Sequence, residues 1–589
     1  MALFTKNDSH EKKVRNTETW RMNLLAFSFL LFFLVIVFRL YVLQIKDASF
    51  YAELAKNQHA VSSDLLPKRG EIFLREKDQL YPLAVNRVYF TVYAVPKEVK
   101  NVEETTRFLG EVFGQDKNDF KKFFENENDP FEVIEKKVSE EISTKIKESK
   151  LPGLYTVNKL FRYYPGEELA AQTVGFVSGE DSSVSGKYGI EAFLEEELRG
   201  SVGSIRQERD SRGRWISIAD REYSPAVHGS DIVLSLDAGV QYHIERVLRE
   251  RVLKHEADGA SAIVLEAGTG KILAMANVPT FDPNVFSDIK DLSSFMNTCV
   301  SNAYESGSVF KPLTLAMGID AGKITSQTTY TDTGAVTEAG YTIKNSDEKS
   351  YGNQTMKEVL EKSLNTGTIF VQKQLGNVLF RDYVKRFGFG EKTGIWLPTE
   401  SKGSIMNLEN TKSTINFYTA SFGQGISMTL LQLALAYDVI ANGGILMKPQ
   451  IVDHSIQSDG TNVPYQPEEV RRVISEGAAK EVREMLYSVV KNGHGKKADV
   501  PGYRVGGKTG TAQVAKSDAR GYSEDETIGS FAGLAPIEDP RFVVVVKIRN
   551  PKDVIWAESS AGPAFKEIMQ FLLEYYNVEP TEILENNKE

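Results

Sequence analysis

Gly307-Ser308-Val-Phe-Lys311-Pro312 is the stretch on which the reading of this 589-residue chain turns. A serine hydroxyl is a poor nucleophile at neutral pH. It needs a base within hydrogen-bond reach, and donors for the oxyanion that forms on an attacked carbonyl. Residues three apart on a helix share one face about a turn apart, which brings the Lys311 amine beside the Ser308 oxygen. Gly307 before and Pro312 after predict that Ser308 opens this helix, because proline is tolerated only in a first turn. The positive end of the helix dipole then favours the developing alkoxide. Lys311 serves as a base only where burial and a neighbouring cation, expected at Lys508, keep its amine partly neutral.

Two further motifs lie downstream: Ser363-Leu-Asn365, and Lys508-Thr509-Gly510 followed by Thr511. The first sits in Val359-Leu-Glu-Lys-Ser-Leu-Asn-Thr-Gly367, which on its own predicts a helix end closed by Asn365 and Gly367. The second lies within Gly506-Gly-Lys-Thr-Gly-Thr-Ala-Gln513, where small residues let a strand backbone approach a ligand closely. Gly502 to Thr509 also fits the phosphate-loop pattern letter for letter. Context argues against that reading. The upstream stretch Lys491-Asn-Gly-His-Gly-Lys-Lys-Ala-Asp499 is polar rather than a buried strand, Gly510 interrupts any helix, and the later strand Phe542-Val-Val-Val-Val-Lys-Ile548 has no terminal aspartate for magnesium.

With 25% charged and 41% hydrophobic residues, the composition is that of globular domains, and the length suits two or more of them. A net charge of -10 disfavours nucleic acid as a partner. The single cysteine, Cys299, excludes an internal disulfide; it reads as a buried small hydrophobe, with a catalytic thiol as the alternative.

Residues 22–43 form the one membrane candidate, an apolar run interrupted by Ser28 and by Arg39, which can snorkel. Lys6, Lys12, Lys13, Arg15 and Arg21 precede it, so residues 1–21 are expected to stay cytoplasmic and the rest to be exported. No small-x-small cleavage site follows, which favours an uncleaved anchor. Residues 44–229 mix short strands with a charged helical insert around 102–150. Beyond 230, a strand at 231–237, an amphipathic helix at 240–254 and a hairpin from 261–265 and 271–275 are expected. Strands at 527–534 and 541–548 and a closing helix at 565–576 follow, then a polar tail, 577–589.

In this order, behind a membrane segment, the three motifs resemble the catalytic set of the penicillin-recognising acyl-serine enzymes. The whole chain resembles a class B penicillin-binding protein, a monofunctional peptidoglycan D,D-transpeptidase. Arg69-Gly-Glu-Ile72, Leu83-Ala84, Arg162-Tyr-Tyr-Pro165, Leu169-Ala-Ala-Gln172, Val174-Gly-Phe176, Gly189-Ile-Glu191 and Leu198-Arg-Gly200 resemble the motifs of that family's N-terminal pedestal. Tyr304-Glu-Ser-Gly-Ser308, Ser421-Phe-Gly-Gln-Gly425, Gln432-Leu-Ala434, Ala441-Asn-Gly-Gly444 and Ser530-Phe-Ala-Gly533 resemble those of its catalytic domain. The fold this implies is α+β: one N-terminal transmembrane helix, an elongated mixed α/β pedestal or dimerisation-like module over 44–229, then a transpeptidase domain over 230–576 with an antiparallel sheet packed by helices. The chain departs from the family at Ser306, often proline, at Leu364, often serine, and at Leu74, usually aspartate, a loss expected to weaken a pedestal salt bridge.

The resemblance also implies roles. Ser308 would attack the penultimate D-Ala carbonyl of a D-Ala-D-Ala stem peptide, Lys311 would take its proton, and Ser363 would relay a proton to the leaving amine. Asn365 would bind the donor amide, and Lys508, Thr509, Gly510 and Thr511 the terminal carboxylate. The Ser308 and Thr511 N–H groups would form the oxyanion hole. Neither a metal nor an organic cofactor is expected. Implied partners are peptidoglycan stem peptides, β-lactam antibiotics, a SEDS-type lipid II polymerase and divisome proteins. The implied site is the bacterial cytoplasmic (inner) membrane, single-pass, with the catalytic domain outside. Asn365, where elongation-type relatives often carry aspartate, favours septal synthesis. Alternatives are an elongation-type transpeptidase, a β-lactamase or sensor, in which Glu400 would be the candidate hydrolytic group, and a catalytically silent division scaffold.

Overall fold

The computed structural model describes residues 8–46, 60–77, 79–126, 129–179, 183–208, 222–515 and 522–582. Residues 1–7 of the expected cytoplasmic segment and 583–589 of the expected tail lie outside them. One compact unit comprises Met1–Pro67 and Ser201–Val227. Its helix, Asp8–Tyr41, continues as a π-helical turn at Val42–Lys46. Within these, Trp20–Lys46 is a 27-residue apolar span with mean hydropathy 2.5 and no buried share. That is long enough for a bilayer core at 1.5 Å per residue. In the same unit Gly203–Glu208 pairs antiparallel with both Ala60–Leu65 and Glu222–Ser224.

The second unit comprises Lys68–Gly200 and His228–Glu589. Its first part is built on a long hairpin, Gln79–Ala94 with Leu154–Tyr163, paired in register from Val85–Tyr163 to Ala94–Leu154. The insert expected as helical carries helices Val102–Phe113 and Glu140–Ser149 and also a strand, Glu132–Val138. That strand forms because Ile134 and Val138 find a hydrophobic cluster beneath the hairpin and its backbone pairs with Gln79–Ala94. The pedestal signatures converge on one buried charge cluster. Glu191, with no exposed side-chain surface, accepts from Arg69 and Arg162 at 2.7 Å each and from Tyr164 Oη at 3.2 Å. Leu74 is fully buried, so an apolar residue stands where the family usually carries aspartate. Arg75 beside it still pairs with Asp453 at 3.5 Å.

The chain crosses residue 230 inside a sheet: Asp231–Asp237 runs parallel to Ile72–Glu76 and antiparallel to Val452–Ile456. Helix α1 (Ala238–Lys254) follows, capped by the Asp237 carboxylate accepting from the Val240 N–H at 3.1 Å. The central sheet consists of β1 (Gly259–Glu266), β2 (Ile272–Val278), β3 (Gly506–Ala515), β4 (Tyr522–Ala535) and β5 (Phe542–Arg549). It is antiparallel throughout, in the order β2-β1-β5-β4-β3. β5 is a run of valines buried on both faces, as a central strand requires. Its Val544, Val546 and Ile548 pack with α1 and with the closing helix Ala561–Tyr575. Val543 and Val545 face the larger core, which also holds Val309, Phe310 and Leu313.

Candidate active site

Ser308 lies in a 3-10 turn, Gly307–Phe310, which runs directly into α2 (Lys311–Asp320), with Pro312 in its first turn. The serine thus sits one turn ahead of the α-helix rather than as its first residue. The turn needs Gly307 at φ +60°, and the Gly307 N–H donates to the Gly423 carbonyl at 3.1 Å. Tyr437, fully buried in a helix (Leu430–Ala441) every residue of which is buried, donates to the Val309 carbonyl at 2.8 Å. The Ser308 turn is therefore braced from two sides by segments more than a hundred residues downstream.

Ser363 terminates α3 (Met356–Glu361) in a left-handed conformation, φ +57°. A non-glycine residue there carries backbone strain that its surroundings must hold in place. Asn365 does not close that helix as expected; it opens the next one, α4 (Asn365–Leu375). Gly367 is likewise helical, and close packing requires glycine there, because a Cβ would lie 2.3 Å from Val359 Cγ2. The strained turn aims both polar groups of Ser363 at one atom. Lys311 Nζ donates to the Ser363 carbonyl at 2.5 Å and to Ser363 Oγ at 3.2 Å.

Lys311 is fully buried, and burial, reinforced by the cation at Lys508, holds its amine well below the usual lysine range. A neutral amine that donates both hydrogens to Ser363 keeps its lone pair for a proton arriving from elsewhere. Asn365 Nδ2 donates to the Lys344 carbonyl at 2.8 Å, which leaves its second N–H and the side-chain oxygen to offer a ligand. Behind it, Asn345 Oδ1 accepts from the Asn365 N–H at 3.0 Å, and Asp332 accepts from Asn345 and from Thr366 Oγ1. Asp332 and Asn345 were not legible as site residues, since only tertiary folding brings them to the second motif.

β3 is an edge strand of the central sheet and lies against the nucleophile turn. A Cβ on Gly510 would fall 2.7 Å from the Ser306 carbonyl oxygen, and one on Gly307 would fall 3.2 Å from the Thr511 carbonyl oxygen. Lys508 is fully buried, and burial pushes its amine down to about 7. It donates to the Thr509 carbonyl and hydroxyl at 3.1 and 3.3 Å. Thr511 Oγ1 accepts from the Ala557 N–H at 3.1 Å, so its hydroxyl hydrogen is left to donate. All three motifs thus come together, with two buried amines beside the serine turn.

Two residues weighed from sequence are engaged elsewhere. Glu400 accepts from the Thr393 N–H and hydroxyl at 2.6 and 2.5 Å, as a structural turn requires. Cys299 is fully buried, and burial pushes its thiol up to about 12, which makes it an inert core residue.

A serine turn beside two fully buried lysines, one of them on a glycine-rich edge strand, is the arrangement of an acyl-serine enzyme. Residues 260–570 match the penicillin-binding protein transpeptidase domain, and residues 64–234 match the penicillin-binding protein dimerisation domain. The chain is 34% identical to the stage V sporulation protein D of Bacillus subtilis over 93% of its own length and 84% of that protein. It is 31% identical to the penicillin-binding protein PbpB of Mycobacterium tuberculosis over the same shares. Among solved structures, a peptidoglycan synthetase of Bifidobacterium adolescentis superposes with TM-score 0.70 at 25% identity, over 90% of this chain and 98% of that one. Penicillin-binding protein 3 of M. tuberculosis in complex with aztreonam does so with TM-score 0.67 at 27% identity, over 88% and 98%. The chain belongs to the class B penicillin-binding proteins, a dimerisation domain followed by a transpeptidase domain.

Proposed function

We propose that this protein is a membrane-anchored D,D-transpeptidase that cross-links peptidoglycan stem peptides during septal wall synthesis, with Ser308 as the acylated nucleophile. One observation carries the reading. Lys311 and Lys508 are both fully buried beside the serine turn, and among the described residues neither has a carboxylate within 4 Å to hold it charged. Such amines suit a base and a carboxylate receptor, and nothing in packing alone calls for them.

The family resemblance assigns the steps to these residues as follows. The lone pair of Lys311 takes the Ser308 hydroxyl proton as the oxygen attacks the penultimate D-Ala carbonyl. The Ser308 and Thr511 N–H groups receive the oxyanion. Ser363, hydrogen-bonded to Lys311, passes that proton to the leaving D-Ala nitrogen as the C–N bond breaks. Lys508 with Thr509, Gly510 and Thr511 holds the terminal carboxylate, while the Asn365 side-chain oxygen accepts from the donor amide. An amine of a neighbouring stem then attacks the ester, its proton returns to Ser308 by the same route, and the cross-link is released. β-Lactams enter as acyl donors whose ester persists.

The exposed apolar helix within residues 20–46 supports an anchor in the bacterial cytoplasmic membrane. The basic residues ahead of it favour a cytoplasmic N-terminus and an extracytoplasmic catalytic domain. A SEDS-type lipid II polymerase and other divisome proteins are the expected partners, contacting that helix and the first module. Asn365 supports division over elongation, as do relatives named FtsI homologues. Identity to a sporulation protein favours a second setting for the same chemistry, wall synthesis during sporulation.

The test is mass spectrometry of the full-length protein in detergent after incubation with benzylpenicillin, beside Ser308→Ala. A persistent adduct on the wild type alone is expected. Antibiotic consumed catalytically would make the protein a hydrolase, and intact antibiotic with no adduct would make it a scaffold.

A further inference from the structure

Outside the three motifs, one ionisable pair lies beside the second and third of them. His494 follows the helix Glu476–Asn492, and its backbone N–H donates at 3.2 Å to the carbonyl of Glu361, two residues before Ser363. Its half-exposed ring places Nδ1 3.9 Å from Glu558 Oε2. Glu558 belongs to the loop 551–560, and the residue beside it, Ala557, is the one that donates to Thr511 Oγ1. On its other side Ser559 Oγ accepts from Lys497 Nζ at 2.9 Å. The pair therefore bridges the second and third motifs, held by the main chain on both sides. Of the charges around it, Lys508, Lys311 and Asp347 also act on the His494 ring. Glu558 is the carboxylate that works against burial at Lys508.

We propose that Glu558 is a positioning residue for acylation, its carboxylate keeping Lys508 protonated and ready for the incoming substrate carboxylate. Without a nearby anion a fully buried ammonium is costly, and the amine would shed its proton. Full ion pairing would be equally unhelpful, because a carboxylate in direct contact would compete with the substrate for the same ammonium. A carboxylate outside contact with Lys508, on the loop that donates to Thr511, meets both demands. Burial and the Lys508 cation hold the His494 imidazole below its usual range. It is therefore neutral near pH 7 and leaves the Glu558 charge undiminished. Lys311 does not counter Glu558 there, since its working form is the neutral amine.

The inference rests on Lys508 being the cation that receives the substrate carboxylate. The second-order rate of benzylpenicillin acylation is measured against pH for the full-length protein in detergent, as wild type, Glu558→Gln, Glu558→Asp, His494→Gln and Lys508→Ala. The alkaline limb of this profile follows deprotonation of Lys508 in the free enzyme. In Glu558→Gln it should move to lower pH by about half a unit or more, with the rate on the acid side kept. Glu558→Asp should restore most of that shift, and His494→Gln should leave the limb in place. A uniform loss of rate at every pH, or an unmoved limb with Lys508→Ala still impaired, would overturn the role of Glu558. A Lys508→Ala protein acylated like wild type would instead overturn the assignment of Lys508 beneath it.

Discussion

Replacing Gly510 with alanine tests whether close approach of the third motif to the nucleophile turn sets the acylation rate. The added Cβ would lie 2.7 Å from the Ser306 carbonyl oxygen, 2.9 Å from Val309 Cγ1 and 3.0 Å from the Val309 nitrogen. Two of these three atoms are backbone and cannot rotate away. Relieving the carbonyl contact to an ordinary C···O separation means opening the gap between β3 and the turn by about 0.6 Å. The oxyanion donors proposed here, the Ser308 and Thr511 N–H groups, sit on opposite sides of that gap. A displacement of about 1 Å can cost about a hundredfold in rate, and loss of one oxyanion donor about 10²–10³. Acylation of Gly510→Ala should therefore slow by roughly 10- to 100-fold, with a stability loss of about 1–3 kcal/mol from overpacking. The assay is stopped-flow or gel-based labelling with a fluorescent penicillin on protein shown to be folded by thermal denaturation. Gly477→Ala, in the first turn of Glu476–Asn492 with open space around the site, is the control and should label at the wild-type rate. A folded Gly510→Ala protein that labels as fast as that control would refute the argument that this contact positions the site.

Other consequences concern stability, pH and the rival activity. Glu191→Gln should destabilise the second unit by about 3–5 kcal/mol, because it leaves Arg69 and Arg162 as buried cations without a carboxylate; a melting temperature equal to wild type would contradict the cluster. Glu245, buried and accepting from the Ala170 N–H and from Gln241, has its carboxyl raised to about 7. The folded state therefore binds the extra proton between the ordinary glutamate value and about 7, so stability falls as pH rises through that window and is level above it. Glu245→Gln, which keeps an accepting oxygen, should then stabilise by up to about 3 kcal/mol at pH 8 and change little at pH 4, read by thermal melts at both. The acid limb of benzylpenicillin acylation should follow Lys311: as pH falls its amine protonates and the rate drops, whereas a rate independent of pH on that side would show that the base is another group. Glu400→Gln should leave the lifetime of the penicilloyl adduct unchanged, measured by mass spectrometry over time, since Glu400 is committed to the Thr393 turn.

Much of the site could be read from sequence because its parts are local. Ser308 and Lys311 lie a helical turn apart whatever the rest of the chain does. The apolar, β-branched character of 541–548 predicts a strand close to the observed Phe542–Arg549, and 527–534 falls within the observed Tyr522–Ala535. The apolar run ahead of residue 44 likewise carries its own signal. The insert at 102–150 was misjudged where charge hid the apolar positions Ile134 and Val138 within a strand. The turn at Ser363–Gly367 was misjudged because propensity cannot foresee a serine held at positive φ.

What the sequence by itself determined was the identity of the reactive groups and the order of the elements that carry them, since both depend on short-range spacing. Tertiary structure alone decided what those groups are chemically. A lysine amine on the surface is an ordinary cation, whereas at Lys311 complete burial beside Lys508, with Ser363 as its hydrogen-bond partner, holds the amine well below that range. The glycines at 307 and 510 acquire meaning only because two distant backbones press together there. Desolvation and close approach are sums over neighbours remote in sequence, and no window along the chain contains them.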